Sequence, residues 1–385
     1  MNLRTSVVAI SLLAMTVVTV YGGISGTGRS KGVLSRVSSV VVTGVLYETA
    51  GAEVVVNGLP GTEADFAPGQ TISVFGTVNA DGVTGTADRV VIDDVLRGSV
   101  DDIDPAANSI SVAGQELSAD LNTLFDRQSG IAGFAIGDDV RVFGVFDAGG
   151  DLVPTRIAAS PGPATVLVTG DADDVSGTLI EINDLVVDVS GAATVPVVNV
   201  GDRVRVEGIA FGSGGELLAT SAAVVELQET PPVGSSFSLS GIVDDVDGSM
   251  SFSIDGTTIL VDANTAFVGP QPSIGATVLA DSIVGAAGIT AAVVRTLADP
   301  DVRITGEVIE TDDDEITLDD GSEIDIDDLT AFQDLSDVAE QRFGIEHINV
   351  GDVVDIRAIR EDDDELEFDA TAVIRLLAGA GDDDD

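Results

Sequence analysis

Residues 137–144 read GDDVRVFG, and the pattern recurs as GQTISVFG at Gly69, GDRVRVEG at Gly201, GATVLADS at Gly275 and GDVVDIRA at Gly351. Three residues after each Gly stands Ile72, Val140, Val204, Val278 or Val354. Five after it stands Val74, Val142, Val206, Ala280 or Ile356. An apolar period of two predicts a strand with one buried face. Seven after it stands a small residue: Gly76, Gly144, Gly208, Ser282 or Ala358. A small residue there predicts a bulge, or a bend at a barrel corner.

A second signature opens each copy, a Gly with apolar residues two before and two after. It reads Gly44, Gly98, Gly170, Gly241 and Gly306. A turn and a β-rich run follow, such as SISVAGQEL or EITLDDGSEIDID. A variable connector then begins, three times with Thr-x-Phe: Thr123 and Phe125, Thr265 and Phe267, Thr330 and Phe332. The Gly-strand and a last strand close the unit. Each unit thus holds about five short strands, with its main insertion between the third and fourth, which is the plan of a small Greek-key barrel of the OB type. In the fifth copy the insertion SDVAEQRFGIEHI reads as a short helix. The expected fold is all-β: five tandem small OB-like β-barrels, with a short helix or loop between strands three and four of some units. The expected bounds are 38–95, 96–160, 164–228, 235–298 and 301–377, each closing around its own apolar interior, with an acidic tail at 378–385. A five-bladed propeller is the rival, but it expects four strands per blade and more regular spacing.

Residues 1–26 read as a signal peptide. Arg4 precedes Val7–Val20, fourteen residues without a charge, which is short for a membrane span of about 20 residues and fits an export signal. Export to the periplasm, the outer membrane or the medium is expected, with no transmembrane span in the mature chain. The 385 residues carry 66 acids and 17 bases, a net charge of -49. Nucleic acid is excluded as an expected partner, because phosphate binding needs cationic side chains. Cysteine is absent, His347 is the one histidine and Lys31 the one lysine. Thiol nucleophiles, disulfides and Schiff bases are therefore excluded or nearly so.

The sequence GGISGTG after the signal, a run ending VVVNG, and units of the form Gly…Thr-x-Phe…GDxVxVxG…Ala-Thr resemble a family of exported bacterial repeat proteins. It is known only as domain-of-unknown-function family 5666. The resemblance spans about residues 22–377. It implies OB-type barrels and, in many members, a lipid-bearing Cys at the signal cleavage point; here Tyr21 stands in its place. It implies no activity and no catalytic residues.

Residues 299–385 hold 31 acids and five Arg. Self-repulsion on that scale destabilises a compact chain at low ionic strength. About 1 M salt shrinks the Debye length to about 3 Å and removes most of it, so saline surroundings are expected. In an OB barrel the loop between strands one and two meets the loop between strands four and five. In the fifth copy these carry Asp312, Asp313 and Asp314, and Asp362, Asp363 and Asp364. These six are the candidate cation ligands, with calcium the possible ion. A weaker version places Asp101, Asp102 and Asp104 opposite Asp147 and Asp151. The competing account is ordinary turn chemistry. Carboxylate pairs are too common to single out a hydrolase dyad. The expected protein is non-enzymatic, without a cofactor: an exported structural or binding array with an unknown envelope or extracellular partner. The alternative is a cation-dependent binder using its acidic rims.

Overall fold

The computed structural model describes residues 25–37, 40–126, 130–160, 165–225, 231–336, 342–361 and 366–378. The expected signal peptide, apart from Ser25 and Gly26, and nearly all of the acidic tail lie outside them. Regular structure among the described residues is strand, with four single 3-10 turns. The chain is all-β.

Two stretches form closed five-strand rings. In one, the opening strand Ser236–Asp247 pairs with Ser251–Ile254, which pairs with Thr257–Leu260. That third strand runs parallel to the last, Gly288–Thr296, and Thr277–Gly285 joins the last strand back to the first. In the other, the same circuit runs through Val302–Thr311, Glu315–Leu318, Glu323–Asp325, Glu367–Leu377 and Val353–Arg360. Pairings of the same order link Gly26–Arg36, Val40–Val42, Val45–Glu48, Thr84–Ile92 and Thr71–Val78. In the stretch from Leu96 the third strand, Gln115–Ser118, pairs with Ser109–Val112 alone. In the stretch from Val166 the opening strand is broken into Val166–Asp171 and Asp174–Ser176.

One hydrogen-bond exchange recurs five times. The Gly of each GDxV-like motif donates to a carbonyl of the opening strand: Gly69 to Leu34, Gly137 to Val100, Gly201 to Ala172, Gly275 to Val243 and Gly351 to Val308. The amide of that same opening-strand residue donates back to the carbonyl after the Gly. The five glycines have φ between 84° and 93°, where a Cβ is strained. The next residue is Asp for a second reason: Asp138, Asp202 and Asp352 each accept from the backbone amide three residues earlier.

This exchange corrects the first opening glycine. The partner carbonyl lies two residues after Gly98, Gly170, Gly241 and Gly306, and in the first copy two after Gly32. Gly44 sits instead in a hairpin turn, with φ 74° beside Thr43 at 53°. The strand Gly26–Arg36 precedes residue 38, the start read from the sequence, because a hairpin glycine between apolar residues imitates the opening pattern. The bulge forms as expected. The fourth-to-fifth strand register shifts beside Gly76, Gly144, Gly208, Ser282 and Ala358. A Cβ on Gly76 would stand 2.1 Å from the Thr86 carbonyl oxygen.

Two connector expectations change. Thr-x-Phe does not open a loop but forms a short strand parallel to the last one, at Leu124–Phe125, Ala266–Val268 and Ala331–Asp334. Each threonine hydroxyl donates to that last strand: Thr123 to Pro154, Thr265 to Ala291 and Thr330 to Ala370, at 2.7–2.9 Å. Each also accepts from the backbone amide of an Asp three residues earlier, Asp120, Asp262 or Asp327. In the fifth copy, residues 337–341 of the expected helix lie outside the described residues, and Ile345–His347 is a single 3-10 turn.

The fourth and fifth stretches have their own apolar cores, that of the first takes in Phe143 of the second, and the second and third share one, from Leu96 through Val168 to Leu217. Their opening strands pair directly, Leu96 with Val168, so no polar layer separates the two interiors. Elsewhere polar side chains cross between segments. Arg156 donates to the Pro68 carbonyl, and Gln333 to the Phe125 carbonyl. Arg203 and Lys31 both hold Asp255. Opening strands of the first and fourth copies form a parallel ladder, Gly28–Lys31 with Ser236–Leu239.

Candidate functional site

The fifth segment concentrates carboxylates on one outer face. Alternation places them there: Ile324 is fully buried and Ile326 nearly so, which turns Glu323, Asp325 and Asp327 outward. On the last strand Phe368 and Ala370 point in, leaving Asp369 outside. Glu315, Asp325 and Asp369 then form a row across three strands, since Glu315 pairs with Asp325 and Asp325 with Asp369. Like charges directly opposite one another are destabilising.

Glu361 joins this row where the fourth strand ends, its amide donating to the Glu367 carbonyl at 3.1 Å. One carboxylate oxygen each from Asp325, Glu361 and Asp369 lies within 4.8 Å of the other two. Among the described residues no second group of three is this close. The crowding shifts protonation. Burial, then Asp325 and Asp327, raise Asp369. Asp369 is the main cause of the rise at Glu361, followed by burial and Glu367. Burial, then Glu323 and Asp325, with Asp312 and Asp314 behind them, raise Glu315. An all-oxygen set of this kind suits a hard cation such as calcium, which takes six to eight oxygens at about 2.3–2.6 Å. Three carboxylates supply part of that number.

The residues expected from the sequence fall differently. Asp312, Asp313 and Asp314 do occupy the first loop, where the Asp312 amide donates to the Glu315 carbonyl and the Asp313 amide to Asp312 Oδ1. Asp362, Asp363 and Asp364 lie outside the described residues. Acid runs in loops do not reveal this trio, because strand register brings Asp325 beside Asp369. The strand alternation EIDID carried the signal. The weaker rim is turn chemistry: Asp101 accepts from Gly114, Asp104 from Ala106 and Ala107, and Asp147 from Gly149 and Asp151. His347 lies 3.5 Å from Glu346, and its carbonyl accepts from Arg375.

Three parts of the chain, residues 97–158, 240–294 and 305–373, match the model of the family described as Domain of unknown function (DUF5666). They coincide with the second, fourth and fifth copies. Among the solved structures, drosophila Unr CSD456 is similar at 15% identity and a TM-score of 0.14, over 53% of this chain and 97% of that one. A likeness at that score bears on neither fold nor function. No curated protein matches.

Proposed function

Because three segments of this chain are DUF5666 domains, we propose that it is a tandem array of five OB-like β-barrels, docked into one body and serving as a non-enzymatic exported structural or binding protein in saline surroundings. The count of five rests on the shared lock: residues 26–92 and 166–224 repeat the hydrogen-bond exchange and bulge of the three matched segments.

The observation that carries this reading is where the few bases stand. Lys31, Arg36, Arg156, Arg203, Arg205 and Arg342 all bond across segments. A chain with 66 acids repels itself. Six of its 17 bases thus bridge seams where acidic modules would otherwise part. Absence of export is the simplest failure. Cells are separated into cytoplasm, envelope and medium, and the recovered N-terminus is sequenced. A full-length chain held in the cytoplasm ends the export reading. Two or more separate calorimetric transitions, in place of one dominant transition, end the docked-body reading.

A second reading is favoured by the trio Asp325, Glu361 and Asp369. In it the fifth segment takes up a divalent cation that relieves the carboxylate repulsion. Calcium titration at matched ionic strength tests it.

A further inference from the structure

A cleft of about 450 Å³ opens where the first four segments meet. Part of its lining is apolar and half-buried, with Phe75, Val91, Val95, Val145 and Ile242. Its polar lining reverses the character of the chain: Arg29, Lys31, Arg89, Arg203 and Arg205 face it, against Asp93 and Asp255. In a protein with 17 bases and a net charge of -49, five bases around one opening are a marked local excess.

Direct contacts sort these cations. Lys31 and Arg203 share Asp255, and Arg203 also holds Asp171 at 2.8 Å. Arg205 has only neutral partners, the Asp94 carbonyl at 2.7 Å and Asn57 Oδ1 at 3.1 Å. Arg89 is 3.7 Å from Glu53, too far for a hydrogen bond, and its guanidinium lies 5.7 Å from the centre of the Phe75 ring. Asp93 lines the same cleft. Burial raises its pKa, against the pull of Arg205, Arg89 and Lys31, with Asp94 adding to the rise.

We propose that this cleft binds a small organic anion, a phosphate ester or carboxylate with an apolar body, whose charged head is held by Arg89 and Arg205. The apolar lining takes the body of the ligand, and planar guanidinium groups suit an oxyanion head. The inference needs the first four segments docked, but neither export nor the cation reading.

Phenyl phosphate is the probe, titrated calorimetrically into the full chain at fixed ionic strength. The expected result is one site per chain, weakened about tenfold in Arg89→Gln and tightened severalfold in Asp93→Asn. Arg89 is half exposed and holds no seam, so its variant folds. Inorganic phosphate, lacking the apolar body, binds at least about tenfold more weakly. Equal binding of the two phosphates overturns the proposal, as does unchanged affinity in Arg89→Gln or no binding at all. Gel filtration separates the causes. A compact chain that ignores phenyl phosphate overturns the site alone. An extended chain overturns the docked arrangement, and the site with it.

Discussion

Arg156, in the second segment, donates from Nη1 to the carbonyl oxygen of Pro68 in the first, at 2.9 Å. The neighbouring Thr155 hydroxyl donates to the Gly69 carbonyl at 2.7 Å. Gly69 is also the residue whose amide locks the first opening strand through Leu34. The turn that closes one barrel is therefore the surface on which the next one docks. Burial pulls the Arg156 guanidinium down to about 10, against the opposing effect of Asp126. It remains charged at neutral pH, held by a backbone oxygen.

Arg156→Met removes this donor and leaves the Pro68 carbonyl without it. An unsatisfied buried polar group costs about 1–3 kcal/mol, and loss of side-chain packing adds to it. We expect a loss of about 2–4 kcal/mol in denaturant unfolding. Arg342→Met breaks a different seam contact, with Glu63 at 2.8 Å. That pair is exposed, so its loss stays within about 0.5 kcal/mol. Equal effects for the two would show that burial does not decide the strength of the seams.

Thr330→Val tests the connector lock. The Thr330 hydroxyl donates to Ala370 at 2.9 Å and accepts from the Asp327 amide at 3.0 Å, and the residue is fully buried. Valine keeps the shape and strands both partners, for an expected cost of about 1–3 kcal/mol. Thr330→Ser keeps the hydroxyl and restores most of that. Hydrogen exchange at the Asp327 amide reads the lock directly, and fast exchange should follow Val but not Ser.

The strands and bulges were legible because their causes are local. Alternation at Val140 and Val142, and the small residue at Gly144, each carry their meaning within eight residues. The first opening strand was not, because Gly44 in its hairpin has the same apolar neighbours as a true opening glycine. Only the contact of Leu34 with Gly69, far along the chain, separates the two. The shared core of the second and third segments was hidden likewise, since Leu96 meets Val168 through pairing that no local pattern encodes. The site was half legible. Acid richness in the fifth segment is plain from composition, but the trio depends on the register that sets Asp325 beside Asp369.

Acidity has a definite sign in this segment. Asp369, Glu361 and Glu315 all have raised folded-state pKa values. The folded chain therefore binds protons more tightly there than the unfolded chain does. Their contribution to stability is greatest when they are protonated, and is lost as pH rises from the ordinary carboxylate range through the raised values. Asp369→Asn should raise the Tm at pH 7 in low salt. That advantage should vanish once the pH falls below the ordinary carboxylate range. About 1 M sodium chloride should also shrink it, since screening removes the repulsion from Asp325 and Asp327. Thermal melts of both chains across pH, at two salt concentrations, measure this. An advantage that grows on acidification would contradict the assigned cause.

Calcium separates bulk screening from a bound ion. Millimolar calcium changes little in the Debye length when sodium chloride already stands near 1 M. Any rise in Tm under those conditions must come from coordination, by mass action on the folded state. The trio predicts such a rise, and predicts its loss in the double variant Asp325→Asn with Asp369→Asn. That variant also removes two of the mutually repelling charges, so without calcium it should melt at or above the temperature of the parent chain. The pair of signs is diagnostic. A structural role for these carboxylates would lower the Tm of the variant with or without the ion. Simple repulsion would raise it and leave calcium without effect on either chain. Coordination alone gives a variant that is no less stable without calcium and indifferent to its addition, beside a parent chain that gains.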